Sequence, residues 1–440
     1  MHHLGLAATA ITAIIIIVYI LISLGSSELS HRHSSEAIQP RFITSHVNGT
    51  EERIVPAFGV KFTISDILEL CHNGFNGQTE LLITATHAIV GPHRDAYLNE
   101  CYPIEISTSQ GARSMGHCSD FVQYIYYGGA RLTGGHQSDT FALKGTNCPK
   151  SMFLHGEYPI SDLIYQNSTI NLWMPNIEQI NKEQLALIPH FKHILCKVKI
   201  TCTAFDKYLK AHDLKSPTTK FMSHSSPDTQ ESVIEVLGEN HNIKQDFNRF
   251  IHTYGHSGRK STQEVIFCWM RNPFWPKLTV LGNHDYETWV KQIPGLKWAT
   301  NIEIQSRVSI KELRELQVSR GVHICPSSQE GYGHYINEAR ALGALVVTTN
   351  HPPMNELVED GITGILVDHK EPKPEEYQGM AEYFVSPAGV SIENVCDGIK
   401  RVMKLTKSER EAMGKKGRKR YDEDTDLMAS NIRELVKDWK

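Results

Sequence analysis

The chain has 440 residues with a formal net charge of -4, 40% hydrophobic and 21% charged residues; that composition fits a globular protein long enough for two cores and excludes a disordered or fibrous chain. The slight acidity excludes the broad basic field that supplies phosphate-backbone affinity, so no nucleic-acid partner is expected. The 9 cysteines run from Cys71 to Cys396 without a CxxC pair or a close Cys/His cluster, so neither a zinc site nor a small disulfide scaffold is indicated.

Leu4 to Leu24 is free of charge and holds an unbroken apolar run from Ile14 to Ile22. At helical rise it spans about 30 Å, the thickness of bilayer hydrocarbon. Residues 1–25 are therefore expected to be a single transmembrane anchor, giving a single-pass membrane protein. The small residues Gly25, Ser26 and Ser27 leave a cleaved signal peptide as the alternative. No Lys or Arg precedes the segment while Arg32 and Arg41 follow it, which leans toward a cytosolic body. The sequons at Asn48 and Asn167 would matter only in a lumenal or extracellular compartment such as the endoplasmic reticulum or Golgi, so the side stays open. Residues 26–55 are polar and aperiodic, as expected of a stalk.

From residue 56 to about 230, short apolar runs alternate with longer mixed stretches. Leu81–Ala85, Ser151–His155, His193–Cys196 and Thr219–Met222 are expected as strands. That alternation predicts a Rossmann-like α/β domain with a largely parallel sheet. Its glycine loops place His136, His155 and Glu157 as cleft candidates, with turn or core roles as the alternative.

Ser223 to Asp246 is polar and is read as the boundary to a second Rossmann-like domain over residues 231–440. Within it Phe250–Tyr254, Leu278–Leu281, Val322–Cys325 and Leu345–Thr349 are expected as strands, each followed by turn residues and a helical segment. Ser309 with Glu312, and Thr406 with Glu409, have capping-box spacing and should start helices. Met428, Ile432, Leu435, Val436 and Trp439 form one stripe of a final amphipathic helix that must dock on something. Cys268 and Cys325 lie in apolar runs, where they are expected as small buried residues.

The strongest chemical signal lies between two of these strands, from Cys325 to Thr349. A strand ends at Cys325, a loop containing Glu330, Gly331, Tyr332 and Gly333 comes next, and a helix carries Glu338. Loops at the carboxyl ends of parallel strands are where open α/β sheets bind ligands, and free amides at the next helix N-terminus suit phosphate. The glycines let a ligand approach the backbone closely.

Pro326-Ser-x-x-Glu-Gly-Tyr-Gly followed by Glu338-Ala-x-Ala-x-Gly resembles the donor-site motif of group 1 glycosyltransferases, family 4-like retaining enzymes of the GT-B fold. The resemblance runs from about Phe247 to Trp439. It implies two Rossmann-like domains facing a central cleft, and a nucleotide-sugar donor as co-substrate without further cofactor or metal. Glu330 would contact the hydroxyls of the donor sugar. Amides of Tyr332, Gly333 and His334 would meet sugar and phosphate, and Glu338 would hold the ribose. The family also places basic side chains after the first strand of this domain; here that loop offers His256, Arg259 and Lys260, with Lys260 foremost. Leu172–Asn176 resembles a loop near the interdomain cleft of some members. The implied function is transfer of a sugar from a UDP- or GDP-sugar to a glycan, lipid or protein, with a membrane contact through residues 4–24. A sugar-nucleotide epimerase of the same fold and a non-catalytic membrane-tethered sugar-binding protein are the alternatives.

Overall fold

Strands of 2 to 10 residues, most of them apolar, build two parallel sheets. The computed structural model of the protein describes residues 104–107, 119–121, 123, 124, 131, 132, 152–159, 164, 170–255, 257–282, 286–291, 297–306, 308–370 and 384–437. The expected anchor, the stalk, the Leu81–Ala85 run, His136 and His256 lie outside them. Among the described residues no helix is long and apolar enough to cross a membrane.

The first sheet contains β1 (Ile104–Ser107), β2 (Arg131–Leu132), β3 (Met152–His155), β4 (Ile170–Trp173), β5 (His193–Cys196) and β6 (Thr218–Phe221), in the order β2-β1-β3-β4-β5-β6. The second contains β7 (Asp246–Gly255), β8 (Leu278–Gly282), β9 (Ile302–Gln305), β10 (Arg320–Cys325), β11 (Leu345–Thr349) and β12 (Gly364–Val367), in the order β12-β11-β10-β7-β8-β9. Every pairing within both sheets is parallel. Parallel strands need crossover connections, and helices supply them. The helices used below are α1 (Lys199–Ala211), α2 (Thr229–Leu237), α3 (Thr262–Met270), α4 (Ile310–Ser319), α5 (His334–Ala341), α6 (Ile392–Lys404) and α7 (Lys407–Val436).

The expected strands at Ser151, His193, Thr219, Phe250, Leu278, Val322 and Leu345 are all present within a residue or two, apart from β7 and β10, which begin earlier. The stretch from Leu172 is corrected: Leu172 and Trp173 belong to strand β4, between β3 and β5, and only Met174 to Asn176 are loop. Asn171 disguised this strand, since a polar residue broke the apolar run. Its amide is satisfied inside the core, donating to the Ile164 carbonyl at 2.9 Å.

Two aromatic clusters anchor the sheets. Trp173 stacks on Phe191 at 5.4 Å and meets Phe205 of α1 edge-on at 5.4 Å. In the second half Phe250, Trp269, Leu278, Val322 and Val347 share one core. Fully buried side chains of this size each stabilise by roughly 2–3 kcal/mol. The cysteines do more than fill space: Cys268 is joined to Cys396, linking α3 to α6, and Cys196 is joined to Cys202. Cys325 is a buried free thiol.

Both expected capping boxes are present, at the starts of α4 and α7. The first part of the polar stretch read as holding the domain boundary is built into the fold. Ser223, His224, Ser225, Ser226 and Asp228 are buried, and α2 packs on α4. The last helix, α7, is 30 residues long and runs across the second half to the end of β6. Arg410 donates to the Phe247 carbonyl at 2.8 Å, Tyr421 to the Ser226 carbonyl at 2.8 Å, and Asn431 to the Phe221 carbonyl at 3.3 Å. Of its apolar stripe, Met428 and Ile432 are buried and Leu435 and Val436 half-buried, while Trp439 lies outside the described residues.

Candidate active site

The loop after β10 is pinned before it turns. Thr348 and Thr349 of the neighbouring strand donate their hydroxyls to the carbonyls of Cys325 (2.8 Å) and Ser327 (2.6 Å). Gly333, with φ of +107°, then redirects the chain into α5. That left-handed backbone is cheap only for glycine. The Ile336 amide donates to the Gly333 carbonyl at 3.0 Å, while those of His334 and Tyr335, at the helix start, have no carbonyl to meet within the helix and suit an anion.

Lys260 and Glu330 come together here. The loop from Gly255 to Ser261, between β7 and α3, carries the Lys260 ammonium to Glu330 Oε1, which also accepts from the Ser327 hydroxyl. Tyr335 bonds the same Ser327 hydroxyl at 2.5 Å, and its ring lies 3.6 Å below the Lys260 nitrogen. Both members of the pair are mostly shielded, with side chains 14% and 12% exposed. Arg259 holds this loop through its backbone, its carbonyl accepting from the Ser328 amide at 2.8 Å, while its side chain is exposed. Glu338 lies in the second turn of α5 and accepts from Gln317 of α4 at 2.9 Å.

Tyr332 and His334 turn toward the first half. Tyr332 is buried and donates to the His224 carbonyl. His334 bonds Ser226 through Nδ1 at 2.8 Å and Asp120 through Nε2 at 2.9 Å. Their side chains thus join the two halves.

Residues from the first half that the motif could not name complete the cleft. They come after the carboxyl ends of strands: Glu157 after β3, Asn176 and Glu178 after β4, Lys197 after β5 and His224 after β6. Lys197 donates to Asp120 at 2.5 Å and to Asn176 at 2.7 Å. Burial alone would raise the Asp120 carboxyl, but Lys197 and the histidines outweigh it and hold it well below the usual carboxylate range. Burial pushes His224 down to about 4 against the pull of Asp120. Burial likewise pushes Glu178 up to about 7, with Glu157 and Glu330 adding to the rise and Lys197 opposing it. The strand-end position was the available signal for Asn176, Glu178, Lys197 and His224; nothing local marks Asp120.

Of the first-half candidates, His155 is a core residue. It is fully buried, bonds Asn171 at 3.1 Å, and burial lowers it to about 4. Glu157 is buried, and its carbonyl takes bonds from Trp173 at 3.2 Å and Gln184 at 3.0 Å. Asp120, His224 and His334 are the described residues whose side chains could hold a metal, with one ligand atom each inside a 4.8 Å group. Lys197 already gives that carboxylate a counter-charge.

Residues 276–380 match the family model for glycosyl transferases group 1. Over 75 residues the chain is 39% identical to the alpha-maltose-1-phosphate synthase of Mycobacterium tuberculosis, a stretch covering 17% of this chain and 19% of that relative's length. Among solved structures, Anabaena Alr3699/HepE in complex with UDP and glucose superposes with a TM-score of 0.52 at 13% identity, covering 76% of this chain and 99% of that one. The same Anabaena protein in complex with UDP gives 0.52 at 14% identity, over the same shares of the two chains. At such identities the likeness speaks for the fold. The family match is confined to residues 276–380, and the likeness to the Anabaena structures is one of fold, an α/β architecture with two parallel sheets.

Proposed function

We propose that this protein transfers a sugar, with retention of configuration and without a metal, from a UDP- or GDP-sugar to a hydroxyl of a glycan, lipid or protein. The observation that carries this reading is the convergence of Lys260 and Ser327 on Glu330, with Tyr335 bonding Ser327, at the carboxyl end of β10 and beside the amino end of α5. In the reaction the bond from the sugar's anomeric carbon to the diphosphate breaks, leaving its electron pair on the phosphate oxygen. The acceptor oxygen bonds that carbon and its proton passes to the departing diphosphate. The transition state carries positive charge on the sugar and growing negative charge on the diphosphate.

Lys260 and the first amides of α5 would meet the negative charge, and fixed charges in a shielded cleft act more strongly than in water. Glu330 would hold the sugar hydroxyls and Glu338 the ribose, with Arg259 and His256 as further basic groups on the diphosphate side. The Anabaena protein was crystallised with UDP and glucose, with UDP-glucose and with UDP, which supports a uridine nucleotide as the first donor to try. The apolar segment over residues 4–24 supports a membrane tether.

The test is turnover by protein starting after the stalk, offered UDP- and GDP-sugars. Release of free diphosphate is expected, and Glu330→Ala should lose most of it while melting as a folded protein. Wild-type protein that neither binds UDP or GDP nor releases them would overturn the proposal.

A further inference from the structure

The carboxylate of Glu178 is held against the donor loop from the opposite half. It lies after β4 in the 3-10 turn Ile177–Gln179. A Cβ placed on Gly331 would fall 2.8 Å from Glu178 Oε1 and 2.7 Å from the Asn176 amide. Only a glycine lets the two halves meet so closely, one residue beyond Glu330.

Glu178 is also chemically incomplete. Its Oε2 is shielded from solvent and has no hydrogen-bond partner. Such a group is costly to leave unmatched, by far more than a satisfied one contributes. Neighbouring Lys197 donates to Asp120 and to the Asn176 side-chain oxygen, not to Glu178 Oε2. A polyhydroxyl ligand would supply the hydrogen-bond donor that Oε2 lacks, which an ionised phosphate, having only acceptor oxygens, cannot. The raised titration of Glu178 fits the same picture, because a carboxyl that is protonated part of the time can both donate to and accept from sugar hydroxyls.

We propose that Glu178 binds a hydroxyl of the transferred sugar, so that the sugar ring is gripped by Glu330 from one half and by Glu178 from the other. This makes Glu178 a determinant of donor-sugar specificity and couples sugar recognition to closure of the cleft. The assignment rests on the nucleotide-sugar reading above.

The test compares affinities for UDP, UDP-glucose, UDP-galactose, UDP-N-acetylglucosamine, GDP and GDP-mannose, measured by calorimetry on wild type, Glu178→Ala and Glu178→Gln. For the sugar nucleotide that wild type binds more tightly than its free diphosphate, Glu178→Ala should weaken binding about tenfold or more, the scale of one hydrogen bond to a charged group. Affinity for the free diphosphate should stay unchanged, and Glu178→Gln should keep part of the sugar's contribution. A merely structural role would shift diphosphate and sugar nucleotide together, and that result overturns the inference. Equal affinities in all three proteins overturn it too, as does a wild type that gains nothing from any sugar. If wild type binds none of the six nucleotides, the functional reading fails first and this inference falls with it.

Discussion

Lys260 and Glu330 pair in a partly shielded pocket, so removing either side leaves the other charge with fewer partners. Lys260→Ala should therefore do two things: lower the melting temperature modestly, and weaken UDP or GDP binding along with kcat, by a few kcal/mol at most. Lys260→Arg should retain part of both. If Lys260→Ala binds the diphosphates as tightly as wild type while Arg259→Ala does not, the basic role belongs to Arg259. Glu178 gives a pH-dependent test of its surroundings. Its folded value near 7 lies above the ordinary 4.5, so the folded state keeps its proton where the unfolded chain has lost it. Stability linked to this group is present below about pH 4.5 and is lost as pH rises through 7, by up to about 3 kcal/mol. Glu178→Gln should thus melt higher than wild type at pH 8, with the gap closing below pH 5. A gap independent of pH would contradict the buried environment assigned to it. The sequence could point to Glu330, Glu338 and Lys260 because they sit inside one continuous motif or beside one strand. Asp120 and Glu178 escaped because their meaning comes from pairing across 214 residues with His334 and from facing a glycine in the other half.

At the level of elements, α1 starts with no side-chain cap of its own, since the apolar side chain of Val198 cannot accept from the first-turn amides. Glu356, from the second half, supplies one: its two carboxylate oxygens accept from the Lys199 amide at 2.7 Å and the Ile200 amide at 2.8 Å. A carboxylate there also opposes the positive end of the helix dipole. Glu356→Ala should cost about 1–2 kcal/mol by chemical denaturation, and Glu356→Gln less, because one amide oxygen can still accept. An unchanged midpoint in Glu356→Ala would show that α1 is capped by solvent as well as by protein. On α7, Gly414 allows the helix to touch the chain entering β11, where an added Cβ would lie 2.2 Å from the Gly343 carbonyl oxygen. Alanine is the better helix former by about 1 kcal/mol, but the clash is with backbone that cannot rotate away. Overpacking of about 1–3 kcal/mol should win, so Gly414→Ala is expected to melt lower, and a higher melting point would mean that the two elements can separate freely. Capping boxes at Ser309 and Thr406 were legible because both partners lie three residues apart. The cap on α1 was not, because its partner lies 157 residues away. Strand β4 was partly hidden for a related reason: Asn171 looks like a loop residue until its amide is seen bonding the Ile164 carbonyl.

Across the whole molecule, buried neutral histidines set the response to acid. His155 lies at the end of β3, His252 and His323 lie in β7 and β10, and His224 lies where the two halves meet; burial lowers each from 6.5 to about 4. His252 shows why protonation is opposed. Burial strips water from the ring and the nearby Lys260 charge adds to the effect, against the Ile324 carbonyl, which accepts from Nδ1 at 2.7 Å and favours the charged form. The unfolded chain takes up these protons below about pH 6.5, whereas the folded chain resists until about 4. Stability present above pH 6.5 is therefore lost progressively as pH falls toward 4, by up to about 3 kcal/mol for each histidine. Glu178, Glu356 and Asp422, raised by burial, work in the opposite direction, while His193 is lowered to about 4 like the other four. Calorimetric melts from pH 7.5 to 4.5 should show a falling melting temperature steepest below 6.5. His252→Gln should be less stable than wild type at neutral pH yet lose less on acidification, because it removes one of the proton-binding differences. A wild-type melting temperature that stays level down to pH 4.5 would mean that these rings are hydrated or already charged in the native protein.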